Sequence, residues 1–69
     1  MKLDDYRIKC RWSKAEMARQ ARIDTNTLNR AINGIPVSSD TARKLASAIS
    51  EGLGRSISVE EIEGLNIIK

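Results

Sequence analysis

The stretch that decides the fold is residues 13–34, SKAEMARQARIDTNTLNRAING. Ser13 followed three residues later by Glu16 is a capping box, in which a hydroxyl accepts from an early helix amide and a carboxylate reaches back. A helix is therefore predicted to start at Lys14, with Met17, Ala18 and Ala21 as its apolar stripe. It stops near Arg22. Asp24 and Thr25 are helix-capping types, so a second helix is predicted from about Thr25. Leu28, Ala31 and Ile32 form its inner face, and Gly34 is a natural stop. Two short helices joined by a tight turn make a helix-turn-helix, spanning about 13–34. Ala18 supplies the small residue where the helices cross, while Met17, Ala21, Ile23, Leu28 and Ala31 hold their angle. The outer side of the second helix carries Thr25, Asn26, Asn29, Arg30 and Asn33. Short amides, hydroxyls and a guanidinium are the groups that read base edges.

On the N-terminal side, Leu3, Tyr6 and Cys10 recur at helical spacing and predict a short first helix. Trp12 precedes the Ser13 cap, where it can pack on Met17 as a hydrophobic staple, and reads as a core anchor. On the C-terminal side, Ser38, Ser39 or Asp40 caps a fourth helix with Ala42, Leu45, Ala46 and Ile49 buried. Residues 52–56 read as a loop. Ser58 and Glu61 form another capping box, opening a short fifth helix with Val59 and Ile62 inside. No window alternates with period two, so the class is all-α. The expected architecture is one compact five-helix domain over residues 1–69, with an apolar tail at 64–69.

Composition narrows the function. The chain has no histidine and one cysteine, Cys10, so neither a zinc site nor a His-assisted nucleophile has residues to use. No carboxylates are clustered so as to flank a pocket, and a 69-residue bundle has little room for a concave site, which argues against an enzyme. No cofactor or metal is expected. No apolar run approaches the ~18 residues of a membrane span, and the start MKLDDYRIK lacks a signal peptide's apolar stretch. A reduced, cytoplasmic protein is the expectation. Residues 1–44 hold ten Lys/Arg against five acids, net +5, whereas residues 45–69 hold two against four, net −2. The positive end suits a polyanion.

The segment Ser13 to Ala21, with Ile23 to Gly34, resembles the helix-turn-helix of the lambdoid phage repressor and Cro family. Thr41 to Ile49 is similar to that family's fourth helix and Ile57 to Ile62 to its fifth, so the resemblance covers roughly residues 3–63. It implies a DNA-binding regulator that works on operator DNA, usually as a homodimer on a two-fold site. The family's base-reading positions carry over onto Thr25, Asn26, Asn29 and Arg30. Its phosphate-contacting positions fall at Lys14 and Asn33, with Thr27 close to that surface; Ser13, Arg19 and Arg43 are further phosphate candidates, and Arg19, Arg43 and Lys44 also suit a general electrostatic fringe. The chain departs from the family where the turn usually carries glycine, because Arg22 stands there. Its first helix is shorter, and its segment 50–56 is longer than in the simplest members.

Each assignment has a plainer alternative. Arg30 suits a solvated helix residue or an ion-pair partner of Asp24 or Glu16, and Thr25 and Asn26 suit helix caps. Arg7, Lys9 and Arg11 suit a face turned from DNA. The tail residues Leu65, Ile67 and Ile68 suit a dimerisation element, or a cover for the chain's own core. A protein partner at that apolar end, as in an antitoxin or anti-regulator, is the alternative function.

Overall fold

The computed structural model describes residues 1–68. Four α-helices run in order: α1 (Leu3–Lys9), α2 (Lys14–Ala21), α3 (Thr25–Ile32) and α4 (Ser39–Leu53). Val59–Glu61 comes after them as a single 3-10 turn. Among the described residues there is no strand, only two isolated parallel bridges, Lys2 with Glu63 and Val37 with Ile67.

The expected fifth helix is thus corrected to one turn. Its cap forms as read, with the Ser58 amide donating to Glu61 Oε2 at 2.7 Å. Ile62 then turns extended, at φ −92° and ψ 101°, and buries its side chain, so the helix cannot propagate. A second correction concerns Gly52. It belongs to α4, which runs on to Leu53 and ends at Gly54, so the loop is shorter than residues 52–56.

Helix starts obey the caps. Ser13 Oγ accepts from the Glu16 amide at 3.0 Å, Asp24 Oδ1 from Thr27 at 2.7 Å, and Ser38 Oγ from Thr41 at 3.2 Å. Only half of the Ser13–Glu16 box is used as expected, because the Glu16 carboxylate accepts from Arg19 and from Gln20 instead. Each such cap is worth about 1 kcal/mol.

Helix ends share one device. A left-handed residue closes each of them: Arg11 (φ 60°), Arg22 (φ 59°), Gly34 (φ 81°) and Gly54 (φ 72°). For α1, α2 and α3 the next amide reaches five residues back, Trp12 to Arg7 at 3.2 Å, Ile23 to Ala18 at 2.9 Å and Ile35 to Arg30 at 2.9 Å. This is the Schellman arrangement, which satisfies carbonyls a helix end would otherwise leave bare. Arg22 therefore takes the backbone conformation glycine usually supplies, and the turn is not rebuilt around it.

Met17, Leu28, Leu45 and Ile49 form the fully buried centre. Alanines at 18, 21, 31, 42, 46 and 48 surround it and let the helices approach. No polar or charged residue is buried among the described residues. Trp12 is half-buried, as a core anchor should be, and its indole lies against Gly52 of α4. Ser50 ties α4 to the extended segment around Ile57. Its hydroxyl donates to the Ala46 carbonyl at 2.7 Å and accepts from the Ile57 amide at 2.8 Å.

The tail turns back on its own chain. Leu65 packs against the core, the Val37 amide donates to the Asn66 carbonyl at 2.9 Å, and the Ile68 amide donates to Val37 at 2.8 Å. Residue 69, the end of the expected tail, lies outside the described residues.

Candidate nucleic-acid interface

The site is built on α3. Leu28 and Ala31 are buried and Ile32 is half-buried against the core, which fixes the helix's rotation about its axis. The opposite side is then set by helical geometry. Asn26, Asn29, Arg30 and Asn33 stand at i, i+3, i+4 and i+7, a single stripe. Asn26, Arg30 and Asn33 are exposed, as is Thr25 at the helix start, while Asn29 is half-buried. The structure thus gathers all four expected base-facing residues and Asn33 on one helix.

Thr27 is different. It is half-buried, and its amide is engaged by Asp24, so it works as a capping partner whatever else it touches. Hydrogen bonds from the Thr27 side chain and amide hold the Asp24 carboxyl below the usual carboxylate range, with a smaller pull from the Arg30 charge. Arg30 makes no ion pair among the described residues, and Glu16 is taken by Arg19. The ion-pair alternative for Arg30 is therefore not what the structure contains.

Lys14, exposed, is the first residue of α2 and comes directly after the Ser13 cap. Its ammonium stands where early helix amides already make the local field positive. The Ser13 hydroxyl is occupied as an acceptor, leaving its proton available to donate. Arg19 and Arg43 do not join the stripe. Arg19 pairs with Glu16 and lines a groove between α2 and α4 with Arg22, Lys44 and Glu51. Arg43 lies 3.9 Å and Lys44 3.2 Å from Asp40. Arg7 donates to Asp4 at 2.7 Å and to the Trp12 carbonyl at 2.8 Å, a structural role. That contact, led by the hydrogen bond from Arg7, lowers the Asp4 pKa.

Sequence reasoning missed Asn66. Its side-chain amide donates to the Gly34 carbonyl at 2.6 Å, at the end of α3. Nothing in the periodicity marks it, because the contact spans 32 residues of chain. No group of three or more His, Cys, Asp or Glu positioned for a metal occurs among the described residues. No helix there is long and apolar enough to cross a membrane.

A helix-turn-helix family model matches residues 3–59, which take in α2, the left-handed turn at Arg22 and α3. The chain belongs to the helix-turn-helix family of lambda repressor/Cro-type DNA-binding domains. The match takes in α1 to α4 and all of the polar stripe of this helix-turn-helix protein; residues 60–68 lie beyond it. No match was found among curated proteins or among solved structures. Membership makes it a DNA-binding regulator domain.

Proposed function

We propose that the chain is a sequence-specific transcription regulator, of the repressor type that phages and other mobile elements encode, acting on operator DNA in the cytoplasm. The observation that carries this reading is the stripe on α3, polar throughout, on a helix whose opposite side is locked into the core. In this reading α3 lies in the major groove. The amides of Asn26 and Asn29 suit adenine edges, the Arg30 fork suits guanine, and Thr25 meets the first base. Lys14, with the Ser13 hydroxyl and Asn33, holds phosphates and so sets the register. Thr27 lies at the edge of that surface. Arg19 and Arg43, each already beside a carboxylate, supply long-range attraction more than contact.

A domain this small offers a limited surface, so we further propose that it binds as a homodimer, with half-sites about one helical turn apart. Ile68, 62% exposed, is the outward apolar group of the tail. Leu65 and Ile67, half-buried on their own chain, serve as its foundation.

A protein-interaction module that used α3 for its partner would present apolar side chains on the outer side of that helix, whereas the alternative function keeps its partner at the tail, where Ile68 is exposed. Among the described residues the exposed large apolar ones are Met1, Ile8, Ile35 and Ile68, and none is on α3. The test is fluorescence anisotropy of labelled duplexes from the region flanking the gene, against scrambled competitor, over a salt series. Competitor-resistant binding supports operator recognition. Binding that scrambled DNA removes equally well contradicts it.

A further inference from the structure

The turn after α3 is held by the tail at three points. Asn66 Nδ2 donates to the Gly34 carbonyl at 2.6 Å, the Val37 amide donates to the Asn66 carbonyl at 2.9 Å, and the Ile68 amide donates to the Val37 carbonyl at 2.8 Å. The tail is itself anchored at its other end. The Glu63 amide donates to the Met1 carbonyl at 2.9 Å, and the Met1 ammonium lies 3.6 Å from Glu63.

The Schellman bonds close the end of α3 but leave the Gly34 carbonyl and the Val37 backbone to be bound by the tail. Gly34, left-handed (φ 81°), ends α3 but, lacking a side chain, adds no packing of its own. Asn66 lies beside the glycine, its Nδ2 3.6 Å from where a Cβ on Gly34 would stand, an ordinary contact distance. Both polar ends of Asn66, the side-chain donor and the backbone acceptor, are thus committed to residues 34 and 37. Those residues flank the exposed Ile35 and Pro36, immediately after Asn33.

From these contacts we infer that Asn66 is a positioning residue for DNA binding. It fixes the 33–37 turn so that Asn33 and the adjoining backbone meet the sugar-phosphate chain in one conformation. This rests on the DNA-binding reading of α3. It adds a part of the chain, residues 63–68, that the family match does not include. The energetic logic is preorganisation: a turn ordered before binding spares the entropy of ordering it during binding.

The test compares the full chain with N66D and N66A on the tightest-binding duplex and on scrambled duplex, over a salt series. N66A removes the donor and adds no charge; N66D keeps the size of the side chain but adds a carboxylate, so any loss beyond that of N66A reports repulsion of the polyanion. Thermal melting and amide exchange of Gly34, Ile35 and Val37 are measured alongside. The expected result is weakening of roughly threefold to tenfold on both duplexes. For N66A the salt slope is unchanged, because residues 33–37 carry no cation and their contacts release no counterion. The ratio between duplexes is unchanged, and the amides of Ile35 and Val37 exchange faster. A merely structural role would lower the melting temperature and leave the affinity of the folded fraction intact; that outcome overturns the inference, as does wild-type binding by N66A. If the unsubstituted chain binds no duplex, the DNA reading itself fails, a result distinct from a variant that binds normally.

Discussion

Trp12 and Gly52 meet so closely that a Cβ on the glycine would fall 2.7 Å from Trp12 Cη2 and 2.8 Å from the Cys10 sulfur. The contact joins the end of α1 to the last turn of α4 and explains why a helix interior keeps a glycine there. Replacing glycine by alanine inside an exposed helix normally stabilises by about 0.5–1 kcal/mol. Here the sign should reverse. G52A is expected to lose about 1–3 kcal/mol through overpacking. Urea unfolding followed by Trp12 fluorescence checks it, and a more stable variant would show that the indole moves aside freely.

Arg22 carries the opposite expectation. At φ 59° and ψ 43° it holds a conformation that side chains disfavour, and its side chain is exposed. R22G should gain about 0.5–1 kcal/mol, the relief of strain less the extra freedom glycine brings to the unfolded chain. Because the turn geometry is already the one glycine prefers, the salt slope of DNA binding should stay as it was.

Ser50 is the hinge pin of the region after α4. Removing its hydroxyl leaves the Ile57 amide without the acceptor it has at 2.8 Å, next to a buried side chain. S50A should cost about 1–3 kcal/mol, the range for an unsatisfied partly buried donor. Denaturant midpoints of S50A and of the exposed control S47A separate this from a generic serine effect.

Acid should loosen the start of α3 through Asp24. Its folded-state pKa lies below the ordinary 3.8, held there by hydrogen bonds from Thr27. A lowered value means that the stabilising contribution is fully present above about pH 4 and is lost as pH falls through the folded-state value. Asp4, lowered by Arg7, adds in the same direction at α1. D24N, whose amide oxygen also caps, should therefore show a shallower loss of helicity by circular dichroism between about pH 4 and 2.

Much of the fold was legible because local rules and global packing agree. The caps at Ser13, Asp24 and Ser38, and the buried stripes of α2, α3 and α4, come straight from short-range pattern. The polar stripe of α3 is legible for the same reason, since burying one side of a helix determines the other. What escaped was long-range. Gly52 reads as a breaker in sequence and is a close-approach residue in space. Ser58 and Glu61 signal a helix, yet burial of Ile62 ends it after one turn. Asn66 carries no local signature at all, because its partner, Gly34, is set by how the tail returns to the fold.

Under the proposed division of labour, α3 reads sequence while the start of α2 grips the backbone. The most direct test measures R30A and K14A against the unsubstituted chain, on the best duplex and on scrambled duplex, across a salt series. R30A should lose roughly 1–3 kcal/mol on the best duplex and little on scrambled DNA. K14A should weaken both alike and make the salt slope shallower by about 0.9. Equal losses by R30A on the two duplexes, or an unchanged slope for K14A, would contradict the division of labour.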